Sequence, residues 1–428
     1  MRKMKDSGVA WIGEIPEEWT VAPLKHLVNI TMGQSPDSAD VSDDGEIPFM
    51  QGNADFGTQY PSPHLYCDNA KKMCDAGDIL LSVRAPVGAL NLADRTYGIG
   101  RGLCAIQARD LHRDFLYFAL MTLGGAFDYL SNGSTFDAIT TSDLKNIQIS
   151  VPPRDEQTKI SETLQEKFSE IGNAINEMRR LIDKLALYKQ SLITETVTKG
   201  LHPEAARKDS GDPLVGEIPA SWKFISLKYL LASGRDSMRV GPFGSQLKGQ
   251  DFQEEGVPVF TQKTVLDNDF FHGDTFISQE KYEQLKSFAV EAGDILITTR
   301  GSIGKIAVAP PDVTCGILHP CVIRFRTDKS KVMDEFLKYV FNETDLLRQQ
   351  LLLKSNATTI DVVYSYALKC VSLAVPPLEE QREIVSYLAN KCAAIDADIA
   401  RRRKLIERLS AYRRSLIYEV VTGKREVV

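Results

Sequence analysis

Val151-Pro152-Pro153-Arg154-Asp155-Glu156-Gln157 opens a stretch that returns as Val375-Pro376-Pro377-Leu378-Glu379-Glu380-Gln381, and the two copies stay aligned without a gap to Thr198 and Thr422. Both copies read as long helices. Ile160, Leu164, Ile171, Ile175, Ile182, Leu185 and Leu192 step by threes and fours or by sums of them, and Ile384, Leu388, Ile395, Ile399, Ile406, Leu409 and Leu416 repeat the pattern. That spacing lays one apolar seam along each helix. The double proline must precede the helix, because its rings cannot sit inside one. Asp155, Glu156, Glu379 and Glu380 suit the positive end of a helix dipole, and Gly200 and Gly423 mark the far ends. About forty helical residues span roughly 60 Å. Each seam needs a partner, and a globular region separates the two helices in sequence, so the spacing predicts an antiparallel pair with one globular region near each end. The alternative is two independent amphipathic helices, each packed on its own domain.

Outward from the helices the duplication continues. Lys5-Asp6-Ser7-Gly8 followed by Gly13-Glu14-Ile15-Pro16 and Trp19 returns as Lys208-Asp209-Ser210-Gly211 followed by Gly216-Glu217-Ile218-Pro219 and Trp222. Ala76-Gly77-Asp78-Ile79-Leu80, with Arg84 and Gly88, returns as Ala292-Gly293-Asp294-Ile295-Leu296, with Arg300 and Gly304. The offset between copies rises from 203 at Lys5 to 216 at Ala76 and 224 at Val151, so insertions accumulate only ahead of the Val-Pro-Pro motif. Such an internal repeat decides the architecture: a variable globular region followed by a helix of fixed length, written twice. Residues 78–83 and 294–299 read as strands after an Ala-Gly turn, and residues 115–121 and 335–341 as helices. The expected fold is therefore α+β, with mixed α/β regions at 1–150 and 201–374 alternating with helical regions at 151–200 and 375–428.

At 428 residues, 43% apolar and 25% charged, the chain suits several globular domains. Met1-Arg2-Lys3-Met4-Lys5-Asp6 leads into no apolar signal segment, and no run of about eighteen apolar residues occurs; a cytoplasmic protein with no membrane partner is expected. Seven cysteines, odd in number and without a CxxC pair, read as reduced core thiols. The net charge of −6 is unlike that of a solitary DNA binder. It fits one whose basic residues are local or whose partner grips the phosphates.

The motifs that would carry catalysis are incomplete. Gly304-Lys305-Ile306 and Gly423-Lys424-Arg425 lack the hydroxyl that a phosphate-binding loop requires. The double prolines follow Val151, Ala309 and Val375, not the Asn or Asp of an amino-methyltransferase. Gly98-Ile99-Gly100-Arg101-Gly102 lacks the third glycine of a dinucleotide loop and reads as a turn. Asp143-Leu144-Lys145 has no nearby Pro-Asp partner for nuclease chemistry and reads as a helix cap with a surface lysine. Six scattered histidines have no ligand spacing. No catalytic residue, no metal site and no cofactor is expected in this chain.

The duplicated Asp-Ser-Gly and Gly-Glu-Ile-Pro entry, the Ala-Gly-Asp-Ile-Leu strand, the Val-Pro-Pro helix start and the helix ends Thr196-Val197-Thr198-Lys199-Gly200 and Val420-Val421-Thr422-Gly423-Lys424 closely resemble type I restriction-modification specificity subunits. The resemblance covers essentially the whole chain, in order and in duplicate; Leu214 in place of Trp11 in the second copy is a small departure. It implies two target recognition domains on double-stranded DNA, an antiparallel coiled coil, and docking of two modification subunits and of restriction subunits. S-adenosylmethionine, ATP and magnesium would belong to those partner subunits. Two rival classes are a fused enzyme whose catalytic domains lie elsewhere and a coiled-coil adaptor without DNA specificity.

Residues 20–150 carry nine Lys and Arg against fifteen Asp and Glu, and residues 220–370 carry eighteen of each, so base contacts and bound partners, more than bulk charge, should supply affinity. Residues 238–248 read as the most loop-like segment of the second domain, and Arg239, Ser245 and Lys248 are DNA candidates there; the alternative is a surface turn with Phe243 anchored in the core. Gln262 and Lys263 follow the apolar run 257–260, and Gln51 and Asn53 follow 47–50; polar residues past a strand end are placed to read bases. Arg84 and Arg300 recur in both copies and suit phosphate or an internal salt bridge. Arg101 could reach phosphate or guanine, or pair with Asp94. Arg401, Arg402 and Arg403, with Arg179 and Arg180 on the first helix, are candidates for partner docking or for contact with the spacer phosphates, against a plain solvated face.

Overall fold

The computed structural model of the chain describes residues 2–124, 138–234, 236–355 and 362–427. Contacts divide them into two compact units, Met1–Arg179 with Arg402–Val428, and Arg180–Arg401. The divisions fall inside the long helices, which span Arg154–Lys199 and Leu378–Val421. Both begin at equivalent residues directly after the paired prolines, as the sequence predicts. Each unit therefore holds the first half of one helix and the second half of the other.

In the first unit a hairpin, Met4–Asp6 with Glu14–Pro16, leads into the strand Thr20–Pro23, which pairs with Gln148–Val151 at the far end of the domain. Between them lie two four-stranded sheets. One is antiparallel, in the order Val28–Met32, Leu103–Ala108, Ile79–Ser82, Leu90–Leu92; the other orders Leu65–Tyr66, Pro48–Met50, Tyr97–Ile99, Met73–Cys74, with the middle pair parallel. The strand Ile79–Ser82 is buried throughout because its two faces serve different cores. Ile79 and Leu81 pack on the helix Arg113–Met121 through Phe115, Leu116 and Ala119. Leu80 packs with Met50, Tyr97 and Ile99. A strand covered on both faces loses polar alternation, which explains its unbroken apolar run.

The second unit repeats this plan: the hairpin Arg207–Asp209 with Glu217–Pro219, the closing pair Lys223–Ser226 with Ser372–Val375, and the antiparallel sheet Met238–Val240, Val322–Phe325, Ile295–Thr298, Ile306–Val308. Its other sheet has five strands, gaining Phe252–Gln253, and helices Gln262–Asp267 and Gln279–Leu285 stand around it. The inserted residues are spent there. Residues 238–240, expected as loop, form an edge strand: Met238, Arg239 and Val240 pair with Phe325, Arg324 and Ile323, so sheet pairing wins over the Gly-Pro signal that follows them.

The seams pair antiparallel within each unit. In the first, Ser150 Oγ donates to the Val421 carbonyl at 2.7 Å while the Arg413 guanidinium lies 4.2 Å from the Phe168 ring, and Ile160, Leu164, Ile171 and Ile175 share a core with Leu416, Ile417 and Val420. In the second, Lys189 Nζ meets Asp396 at 2.8 Å, and Ile193 and Val197 share a core with Ile384, Leu388 and Cys392. The alternative of independently packed helices is not what forms. At each junction the segment from the hairpin to its tryptophan forms a strap that locks the helix start: Trp19 Nε1 donates to Glu156 at 2.9 Å and Trp222 Nε1 to Glu380 at 2.8 Å. The glycine ending the other helix abuts the same ring, Gly423 against Trp19 and Gly200 against Trp222. All seven cysteines are free, but Cys315 and Cys370 are exposed, so the expectation of core thiols holds only for the others that are buried: Cys67, Cys74, Cys104 and Cys392. Among the described residues no helix is long and apolar enough to cross a membrane.

Candidate nucleic-acid interface

In both units the strand ends of the two sheets converge on one rim. In the first, the Gly100 amide donates to the Met50 carbonyl at 2.7 Å, Gly102 to the Gln51 carbonyl at 3.1 Å, and Val83 to the Gly102 carbonyl at 2.9 Å. Glycine is required where backbones touch: a Cβ on Gly33 would lie 2.1 Å from the Gly100 carbonyl oxygen, and one on Gly102 would lie 2.6 Å from that of Gln51. Three of the predicted residues, Gln51, Arg84 and Arg101, are thereby brought to one edge, all exposed. Gln51 donates to Ser35 Oγ at 2.7 Å, adding a residue the sequence reading missed. Asn53 starts a short turn, Asn53–Asp55, just beyond. Asp94 is taken by the Tyr97 hydroxyl, and among the described residues Arg101, Arg84 and Arg300 make no ion pair. The pairing of Arg101 with Asp94, one alternative open in the sequence, does not form.

The second unit builds the rim with the same frame. His319 donates its amide to the Phe260 carbonyl at 3.0 Å, Thr299 to the Cys321 carbonyl at 3.2 Å, and Gly241 to the Val322 carbonyl at 3.0 Å. A Cβ on Gly241 would lie 2.1 Å from the His319 carbonyl oxygen, matching Gly33 in the first unit. Where the first rim carries Gly100-Arg101-Gly102, the second carries His319-Pro320-Cys321. The His319 Nδ1 accepts the Cys321 amide at 3.1 Å, and burial lowers the pKa of its imidazole. Gln262 opens the helix Gln262–Asp267 close to Gly301, and Arg300 is exposed next to it. A signal for these rims existed in the sequence, in Gly33 and Gly241 before equivalent turns, but the turns themselves share no residue.

The other candidates are distributed around the second rim. Lys263 is exposed and paired with Asp274 at 3.0 Å. Arg239 is half-buried, its Nε on Asp236 at 2.7 Å and its guanidinium 5.7 Å from the Phe288 ring. Burial opposes ionisation of Asp236, yet hydrogen bonds from Arg239 and the buried Arg324 hold its carboxyl below the usual range. Arg324 also bonds the Ala289 carbonyl and lies 3.5 Å from the buried Asp294, so this cluster braces the sheet from within. Ser245 and Lys248 are exposed; Phe243 is 73% exposed, against the alternative of a turn with Phe243 anchored in the core, and the buried Leu247 is the apolar anchor of this segment. On the helices Arg179, Arg180, Arg401 and Arg403 are exposed and Arg402 is half-buried, with Arg401 3.7 Å from Asp398. Asp143 closes a capping box with Thr140 at the start of the helix Thr141–Asn146, as expected. Among the described residues no group of three or more acids, histidines and cysteines could hold a metal ion.

The duplicated chain matches a known domain in sequence. The sequence model of the type I restriction modification DNA specificity domain fits twice, at residues 16–181 and 244–408. The chain belongs to that family. It is a specificity subunit with two DNA specificity domains. It is similar over 96% of its length to 94% of the type I restriction enzyme MjaVIII specificity subunit of Methanocaldococcus jannaschii, at 22% identity. A 158-residue segment, 36% of this chain, is 44% identical to 37% of a sequence from the same organism named for the MjaX specificity subunit. A chain from work on complex assembly and conformational transition of the type I R-M system matches with TM-score 0.71 at 18% identity, covering 96% of this chain and 99% of that one. The HsdS subunit from Thermoanaerobacter tengcongensis matches with TM-score 0.52 at 17% identity, over 96% and 98% of the two chains. These structural likenesses establish the shared fold.

Proposed function

We propose that this specificity subunit reads a bipartite target in double-stranded DNA, one half at each rim, and docks two modification subunits and the restriction subunits. The observation that carries this is the pair of rims: one hydrogen-bonded frame presents Gln51 and Arg101 in one copy and Gln262 and His319 in the other. A shared frame with different polar side chains suits two readers of different base sequences, because base edges in the major groove differ in their donors and acceptors. Arg84 and Arg300, common to both, suit the phosphate backbone, which carries no sequence. The helix arginines are candidates for docking partner subunits, Arg179, Arg402 and Arg403 in the first unit and Arg180 and Arg401 in the second.

The chain performs no chemistry in this reading. S-adenosylmethionine, ATP and magnesium act in the partner subunits, and the complex works in the cytoplasm. The two helices, equal in their starts and near-equal in length, set the unspecified spacer between the half-sites. Radiolabelled methyl transfer from S-adenosylmethionine should be absent with the purified chain and appear when modification subunits are added. Exchanging residues 20–150 for those of another specificity subunit should change one half of the methylated sequence; a methylome in which both halves change would overturn the proposal.

A further inference from the structure

Tyr364 and Tyr366 are 58% and 71% exposed, and their rings lie near-parallel at 13° with centroids 5.8 Å apart. The duplication supplies a control for this feature. Arg84 bridges Ala138 as Arg300 bridges Val362, and the Ile139 amide meets the Val83 carbonyl at 2.8 Å as the Val363 amide meets that of Thr299 at 2.8 Å. Leu144 and Leu368 are fully buried at the next matching position. Tyr364 thus stands where the first copy has Thr140, and Tyr366 where it has Ser142.

Thr140 does structural work: its hydroxyl accepts from the Asp143 amide at 3.1 Å, and Asp143 accepts in return from the Thr140 amide at 3.0 Å. The helix Ser365–Lys369 has no side-chain cap at all. Giving up a preferred cap residue weakens a helix start, and two exposed rings regain little of that by burial. A locally unfavourable choice without a compensating contact points to function. The setting says which function. Tyr364 comes two residues after Val362, the residue bridged to Arg300, an exposed cation without an ion pair among the described residues, and Gln262 lies across Gly301 on the same rim.

We propose that the Tyr364–Tyr366 pair is a stacking element of the second domain, continuing its own ring stack onto a base of the second half-site and opening one base step. This rests on the reading of the rims as DNA interfaces. Aromatic pairs already held parallel lose little freedom when a base is added, and stacking of one base on an aromatic ring changes affinity by roughly tenfold to a hundredfold.

The test uses the full chain assembled with its modification subunits and duplexes carrying the methylome-defined target, with 2-aminopurine placed in turn along the second half-site. The Tyr364→Thr, Tyr366→Ser double variant installs the residues of the first copy, including a helix cap. It should bind the target about tenfold to a hundredfold more weakly, keep the salt dependence, and abolish the 2-aminopurine fluorescence rise seen with the unaltered complex. Tyr364→Phe, Tyr366→Phe should retain both affinity and fluorescence. Unchanged affinity in the Thr and Ser variant, or a Phe variant as weak as it with a shallower salt slope, would overturn the stacking role; the latter result marks phosphate contact by the hydroxyls. An unaltered complex unable to distinguish the target from a scrambled duplex would bring down the DNA-interface reading as well.

Discussion

Replacing Gly423 by alanine should destabilise the first unit more than the same change at Gly200 or Gly211 destabilises the second, and these three positions separate the causes. Gly211 has φ +79° and open space around it, Gly200 has φ +75° with a built Cβ at 3.1 Å from both Trp222 and Glu380, and Gly423 has φ +72° with a built Cβ only 2.3 Å from Pro16 Cδ and 3.1 Å from Trp19. An L residue in this backbone region costs about 1–2 kcal/mol, partly offset by about 0.4–1 kcal/mol from the stiffer unfolded chain. Gly211→Ala should therefore cost about 1 kcal/mol. Gly200→Ala adds a tight contact and should reach about 1–2 kcal/mol, whereas Gly423→Ala adds overpacking of about 1–3 kcal/mol against rings and should total about 2–4 kcal/mol. Urea unfolding followed by tryptophan fluorescence resolves the units, since Trp11 and Trp19 lie in the first and Trp222 in the second. The midpoint should fall with the slope preserved. A Gly423→Ala shift no larger than that of Gly211→Ala would refute the argument that the helix end is wedged against the strap.

Three further outcomes are expected. The Glu156 carboxyl is held below its ordinary value chiefly by the hydrogen bond from Arg2, with burial opposing and Trp19 assisting. That stabilisation is present above the ordinary glutamate range near about 4.3 and is lost as pH falls through the lowered value; the urea midpoint of the first unit should drop between pH 5 and pH 3 (about the range set by that titration) more steeply in the unaltered chain than in Arg2→Ala, and equal slopes would exclude the pair. Inserting four residues near Met178 lengthens that helix by roughly 6 Å and turns it about 400°, so methylome mapping should find both half-sites unchanged and the spacer longer by one or two base pairs, while an insertion of three, rotating the seam by about −60°, should impair assembly; an active four-residue variant with an unchanged spacer contradicts the ruler. Lys248→Ala should lower DNA affinity and reduce the salt slope by about one if it meets phosphate, with a smaller effect from Lys263→Ala because Asp274 already holds that amine; titration at several salt concentrations measures both, and no effect from either removes this surface from the site.

The long helices were legible because two independent regularities agree there: a period near 3.5 in Ile160 through Leu192, and its repetition in Ile384 through Leu416. The strands 79–82 and 295–298 were legible from their apolar runs. The rims were only half legible. Gln51 and Gln262 stood out by following strands, but what gathers Arg101 with Gln51 is the hydrogen bonding of Gly100 and Gly102 to residues about fifty positions away, and no local pattern encodes that closure. Arg324 illustrates another limit: a charged residue in the strand Val322–Phe325 reads as solvent-facing, yet it is 2% exposed because Asp236 and Asp294 arrive from distant segments. Tyr364 and Tyr366 gave no signal on their own, since aromatic residues at helix starts are usually core; only the three-dimensional match to Thr140 and Ser142 exposes the substitution.

The division of each helix between two units also sets a timetable for synthesis. The second unit is contiguous, Arg180–Arg401, and can close as soon as it leaves the ribosome, whereas the first needs Arg402–Val428. At about 5–20 residues per second, translation of the intervening segment keeps the first unit waiting roughly ten to forty-five seconds. Through that interval Ile160 and Leu164 lack Leu416 and Val420, and Trp19 lacks the glycine that seals its ring. The domain encoded first is thus finished last, and the last turns of the second long helix act as a clasp that can fasten only once Leu416 to Gly423 have been made.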